Sequence, residues 1–284
     1  MTQAGNIFEA ILARAMAPPE PEPGDYEQDG LLYCGKCHTP RQKRLDILGT
    51  ERVVPIACKC REEEQERERE ADRLMRRKQG IADAINDLIN IGAADRPSAT
   101  FTQNDGRSQK NTDTLLRYVR KFDQVSADNI GLMLYGDAGN GKTFFAECIA
   151  NALLEQGYFV WMSSIRAISG AMSGNYGENR PYLLRRIQTV DLLILDDFGA
   201  ERDTSYMNEQ VYDVINERYK AGKPLIVTTN LDPAAMSQEP NITARRIYER
   251  VMEMCTPLKV EGGTRRKQNA AGKMKTLKSI LEEE

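Results

Sequence analysis

The sequence predicts a three-layer α/β/α domain on a parallel sheet, preceded by a small four-cysteine unit. Three observations carry this. After Leu115, apolar runs of strand length alternate with segments of helical period. A glycine-rich loop, residues 136–143, stands between one such run and one such helix. Four of the six cysteines fall in two close pairs within residues 34–60. Short, continuous apolar strands between helices are what a sheet covered on both faces requires.

The chain has 284 residues, enough for one large domain and a smaller one. Its 39 Lys+Arg against 42 Asp+Glu give a net charge of −3. That excludes nucleic-acid binding by bulk charge and leaves only local patches. Apolar stretches reach about a dozen residues, short of the ~20 that span a bilayer. No membrane segment is expected. The stretch 1–17 carries Glu9 and Arg14 and lacks a basic leader, so the reading is cytoplasmic, where cysteines serve metals or stay reduced.

Residues 1–30 form the first segment. Ile7, Phe8, Ile11, Leu12 and Ala15 have helical spacing and make either a short docking helix or a frayed terminus. A Pro-rich acidic linker follows at 18–30. Residues 31–60 hold the cysteine pairs. Linker helices are expected over 61–94: Arg61–Lys78 is dense in Glu and Arg and reads as a solvated helix, and Ile81, Ile85, Leu88 and Ile89 give it an apolar continuation. The α/β domain covers 95–260. It opens with a polar loop at 103–114. Then come strand 131–135, helix 144–156, strand 158–163, helix 182–189, strand 192–195, helix 207–220 and strand 225–229. Residues 261–284 are a tail with Arg265, Arg266, Lys267, Lys273, Lys275 and Lys278.

Gly136-Asp137-Ala138-Gly139-Asn140-Gly141-Lys142-Thr143 matches G-x-x-x-x-G-K-[ST]. The glycines let successive backbone N–H groups face phosphate oxygens, and the helix that follows offers its positive end to the same anion. Lys142 adds a charge at the terminal phosphates, and Thr143 supplies a hydroxyl for Mg²⁺. The flanking strand and helix are the context this motif needs. About fifty residues on, Leu192-Leu193-Ile194-Leu195 ends in Asp196 and Asp197. Two acids can simply close a strand at the surface. Downstream of a phosphate loop, Asp196 suits the metal ion and Asp197 the attacking water. Asn230, at the end of strand 225–229, is either a γ-phosphate contact or a turn residue before Asp232-Pro233. Arg246 and Arg250 share a helix face at i,i+4. They either solvate that face or neutralise charge at a neighbouring subunit's nucleotide.

Cys34-x₂-Cys37 and Cys58-x-Cys60 suit a tetrahedral Zn²⁺. A redox CxxC and ordinary thiols are the alternatives. His38, the sole histidine, is a spare ligand candidate. Cys148 and Cys255 lie in helical patterns and read as core.

The segments GDAGNGKT, LLILDDFGAE, RYKAGKPLIVTTNL and RRIYER together resemble the DnaC/DnaI-type replicative helicase loaders and the related IstB transposition helpers. Both are AAA+ P-loop ATPases. The resemblance spans about residues 95–260 and implies an AAA+ fold. It implies ATP and Mg²⁺ as ligands, with Asn230 as the γ-phosphate sensor, Arg246 as the arginine finger and Arg250 as a second sensor. It also implies self-association into a ring or open helix, single-stranded DNA, and a hexameric replicative DNA helicase as client. A transposase is the alternative client. A small zinc unit ahead of the ATPase resembles some loaders of this type, in which the N-terminal part grips the helicase.

Overall fold

The computed structural model describes residues 19–47, 49–104, 106, 108–174, 178–200 and 204–261, with Met274, Leu277, Ile280 and Leu281 beyond them. The expected docking helix at 7–16 and the cations of the basic tail lie outside the described residues. The chain separates into two compact units, residues 1–76 and 77–284.

The first unit is built of two hairpins that sequence patterning did not reveal. β1 (Tyr26–Gln28) pairs antiparallel with β2 (Leu31–Tyr33). Asp29 and Gly30 between them both have positive φ, 52° and 70°, the conformation of a tight hairpin turn. β3 (Gln42–Ile47) pairs with β4 (Thr50–Pro55). Helix α1 (Lys59–Asn90) follows, with the boundary between the units falling inside it. Its residues 61–80 are exposed, as their charge requires, and Ile81, Ala84 and Leu88 are buried.

In the second unit a five-stranded, all-parallel sheet has the order β6-β7-β8-β5-β9. Its elements, in chain order, begin with α2 (Gln109–Arg120), α3 (Phe122–Ala127), β5 (Gly131–Tyr135), α4 (Lys142–Glu155) and β6 (Val160–Ser164). They continue with α5 (Ile165–Ser173), α6 (Arg180–Thr189), β7 (Leu192–Asp196), α7 (Ser205–Ala221) and β8 (Leu225–Thr229). α8 (Pro233–Ser237), α9 (Ile242–Met254) and β9 (Cys255–Lys259) complete it. Side chains alternate across the sheet. Leu132, Leu134, Leu192, Ile194 and Ile226 join one core with Leu115, Phe145 and Ile149 of α2 and α4. Met133, Leu193, Leu195, Leu225 and Val227 join the other, with Ile168, Ile187, Ile215 and Val251 of α5, α6, α7 and α9. The period of two, buried on both sides, is what makes three layers.

Two differences from the sequence reading have clear causes. The expected loop at 103–114 becomes helical from Gln109. Its inward polar residues are satisfied locally: Asn111 donates to the Lys259 carbonyl at 3.1 Å, and Thr112 to that of Ser108 at 3.1 Å. β9 went unread because Cys255-Thr-Pro-Leu-Lys is short and contains Pro257, which a sheet tolerates at an edge. The start of β5 is hemmed in by β8 on one side and by the junction of α9 with β9 on the other: a Cβ on Gly131 would lie 2.1 Å from the Leu225 carbonyl and 2.7 Å from that of Met254. Cys148 and Cys255 are buried core residues, as read.

Candidate functional site

The carboxyl ends of β5, β7 and β8 converge with the N-terminus of α4. The loop after β5 takes conformations that favour glycine: φ is 138° at Gly136, 90° at Gly139 and 94° at Gly141. Gly136 admits no side chain for a second reason, since a Cβ there would meet the Val260 carbonyl at 2.8 Å. Asn140 donates to that same carbonyl at 3.1 Å, so the end of β9 braces the loop. The cavity in front holds about 370 Å³ and is lined by Ala138, Gly139, Gly141, Lys142, Thr143, Phe144, Asp197, Ala200 and Asn230.

Lys142 is buried, and its ammonium donates to the carbonyls of Gly136 and Asp137 at 2.8 and 2.9 Å and to Asn230 Oδ1 at 2.7 Å. Asn230 thus meets the phosphate loop across 88 residues of sequence. The Thr143 hydroxyl donates to Asp196 Oδ1 and Oδ2 at 2.9 and 3.2 Å. The Thr228 hydroxyl donates to Asp196 Oδ1 at 2.6 Å. Burial pushes the Asp196 carboxyl up from its ordinary value; the Thr228 and Thr143 hydroxyls pull it back, and the Asp197 charge adds to the rise. A hydroxyl and a half-buried carboxylate in contact beside a phosphate cradle are a donor set that suits Mg²⁺.

The arginines of α9 stand elsewhere. Arg246 is exposed and does not line the cavity. Arg250 lies with its guanidinium carbon 4.6 Å from the Tyr212 ring centroid and 5.8 Å from that of Tyr219, both on α7. The structure therefore joins Lys142, Thr143, Asp196, Asp197 and Asn230 at one site and leaves Arg246 and Arg250 outside it. Alternation along strand 225–229 lets only some of Thr228, Thr229 and Asn230 face the site, and Thr228 reaches it through Asp196, 32 residues away in the neighbouring strand.

In the first unit Cys34, Cys37, Cys58 and Cys60 place their sulfurs within 4.8 Å of one another. Cys60 Sγ is 3.6 Å from Cys34 Sγ and 3.4 Å from Cys58 Sγ. Four thiolates at ~2.3 Å from a tetrahedral Zn²⁺ stand about 3.8 Å apart, so the cluster fits that ion. The first pair sits in a turn where Gly35 is required: a Cβ there would be 2.1 Å from the Gly24 carbonyl. The second pair opens α1, with Arg61 and Glu62 N–H groups on the Cys58 carbonyl. Backbone N–H groups of Cys37 and Lys36 hold the Cys34 thiol down, and the Thr39 hydroxyl and Cys60 N–H hold Cys37 down to about 5. Thiol contacts push Cys60 up to about 12. A buried ion pair of Arg41 with Asp25 closes the turn, and Asp25 accepts the Gly35 N–H at 3.0 Å. His38 is not among the clustered ligands.

Comparison with known proteins gives one family model, described as "IstB-like ATP binding protein", over residues 66–272. The chain is 29% identical over 150 residues to the replicative helicase loader DnaI of Bacillus subtilis, covering 48% of this chain and 47% of the relative. It is 27% identical over 139 residues to the replicative helicase loader DnaC of Escherichia coli, covering 48% and 54%. The chain spans about half the length of the curated relatives it matches. A crystal structure of the DnaC helicase loader superposes with a TM-score of 0.51 at 21% identity, over 57% of this chain and 97% of that one. At that identity the likeness speaks for the fold.

Proposed function

Since the chain belongs to the IstB-like ATP-binding protein family, we propose that it is an oligomeric AAA+ ATPase. In this reading it loads a replicative DNA helicase onto single-stranded DNA. The observation that supports hydrolysis is the convergence of Lys142, Thr143, Asp196, Asp197 and Asn230 on one cavity. Backbone N–H groups at the start of α4 receive the β- and γ-phosphates, and Lys142 exchanges its carbonyl partners for phosphate oxygens. Thr143 and Asp196 would hold Mg²⁺, which neutralises charge on the phosphates when bound. Asp197 lines the cavity and orients the attacking water, taking its proton as the bond from the β–γ bridging oxygen to the γ-phosphorus breaks. Asn230 fixes the γ-phosphate and that water. Arg246, exposed on α9, completes the neighbouring subunit's site.

The domains follow as proposals: a four-cysteine zinc unit at 31–60 that grips the helicase, linker helices at 61–94, the ATPase at 95–260 and a basic tail. Cys34, Cys37, Cys58 and Cys60 would hold the zinc, which ties the two hairpins to α1.

The experiment is reconstitution with a purified hexameric helicase and a protein-coated single-stranded circle carrying an annealed strand. Loading appears as ATP-dependent release of that strand. A second reading follows from the sequence resemblance to the IstB helpers, with the matching family model naming ATP binding: a helper that delivers a transposase to target DNA. Stable binding to a transposase and none to the helicase would favour it.

A further inference from the structure

We infer that Thr228 is the positioning residue of the acid pair: one buried hydroxyl in β8 fixes Asp196 and Asp197 together and thereby sets the hydrolytic step rather than nucleotide binding. The inference rests on the ATPase reading of this site and names a residue which that reading does not require.

Thr228 is fully buried. A hydroxyl offers one proton and two lone pairs. Here the proton goes to Asp196 Oδ1 at 2.6 Å, and a lone pair accepts the Asp197 N–H at 3.0 Å. The Thr228 carbonyl accepts the Phe198 N–H at 2.8 Å. Three consecutive residues, 196–198, are therefore held from one threonine on the neighbouring strand. The next residue of β8 continues the hold, since the Thr229 hydroxyl donates to the Phe198 carbonyl at 2.7 Å.

The hold has something to oppose. Asp197 has φ of 54°, a left-handed conformation that non-glycine residues rarely adopt. Such backbone persists only where surrounding structure over-determines it. Gly199 follows at φ 85°, and a Cβ there would lie 2.5 Å from Leu231 Cδ1, so the turn has no slack on its other side. Without the Thr228 hydroxyl the Asp197 N–H loses its acceptor, and the turn that aims the Asp197 carboxylate into the cavity loses its first anchor. The phosphate contacts are different atoms. The Lys142 ammonium is held by the Gly136 and Asp137 carbonyls and Asn230, and the loop by Asn140 on the Val260 carbonyl.

The test compares the wild-type chain with Thr228→Val, Thr228→Ser and Asp197→Asn. The readouts are steady-state ATP hydrolysis and affinity for a fluorescent ATP analogue. Valine keeps the shape and removes both hydrogen bonds; serine keeps both bonds. Thr228→Val is expected to lower kcat by about 10- to 100-fold and to leave analogue affinity within about twofold. Thr228→Ser is expected to restore most of kcat. If the valine variant does not fold, Thr228→Cys, a weak donor of similar size, carries the same expectation of lost turnover with retained affinity. A folded Thr228→Val enzyme turning over at the wild-type rate overturns the inference. So do equal defects in the valine and serine variants, or a fall in affinity as large as the fall in kcat. If the wild type turns over no faster than Asp197→Asn, the ATPase reading itself falls, and this inference with it. Loss of turnover in Asp197→Asn with full turnover in Thr228→Val sinks the Thr228 assignment alone.

Discussion

Stripping the metal from the four-cysteine unit is expected to unfold its hairpins and leave the α/β unit intact. The magnitude follows from how little else holds the hairpins. Among the described residues 19–60 the buried apolar side chains are Leu32, Cys34 and Cys58. Burying one leucine contributes about 1.5–3 kcal/mol. The buried ion pair of Arg41 with Asp25 adds little net, because desolvation offsets the attraction. A structural Zn²⁺ in thiolates contributes roughly 10–16 kcal/mol at neutral pH. The metal term dominates, so chelation should take the unit from folded to unfolded. Amide exchange reads this at Cys34, Arg41 and Ile56, whose N–H groups bond the carbonyls of Thr39, Leu32 and Arg41 at 2.9, 2.7 and 2.8 Å. Protection at these three amides should collapse on chelation, while thermal melting of the α/β unit stays unchanged. Acid should act in the same direction. A cysteine binds the metal as thiolate, so protons compete with the ion for Cys34, Cys37, Cys58 and Cys60 and stability falls as pH is lowered. Purified protein with far less than one zinc per chain, yet with these amides protected, would refute the reasoning.

Three further outcomes are expected. Lys142→Ala should lower ATP-analogue affinity at least tenfold in a binding titration, because the buried ammonium is the side-chain cation at the phosphate loop. Arg246→Ala should keep single-chain nucleotide affinity and lose hydrolysis by roughly 10³-fold; mixing it with Lys142→Ala chains should restore part of the rate if the arginine acts across a subunit boundary. Arg218→Met should destabilise the α/β unit by about 3–5 kcal/mol in urea unfolding. Its fully buried guanidinium serves the carbonyls of Ile187, Val190, Asp191 and Pro224 at 2.5–3.1 Å, and methionine leaves those acceptors without a donor.

Much of the candidate site was legible because its parts are contiguous in sequence or end an apolar strand. Gly136–Thr143 is a single run, and Asp196-Asp197 and Asn230 each close a buried strand whose pattern marks where it stops. The sheet was legible for the same reason: β5, β7 and β8 each open on a continuous apolar run. What escaped depends on contacts between distant segments. Alternation along β8 points only some of Thr228, Thr229 and Asn230 at the site, and the Thr228 bond to Asp196 shows only when β8 is set beside β7. The role of Arg218 shows only once four carbonyls are found around its guanidinium. The hairpins of the cysteine unit escaped because β1 and β2 are three residues each and the unit has almost no core to impose a period. The structure sets the Arg250 guanidinium over the Tyr212 and Tyr219 rings, a packing that its place in a sequence motif does not show.

The central claim is that this cavity hydrolyses ATP to drive a client onto DNA. Its most direct test is the rate of ATP hydrolysis with single-stranded DNA and a hexameric helicase present, for wild type and Asp197→Asn. The expected result is a wild-type rate that Asp197→Asn lowers by at least ~100-fold with ATP still bound, together with loss of helicase loading. Equal rates in the two proteins, or loading that proceeds without hydrolysis, would contradict it.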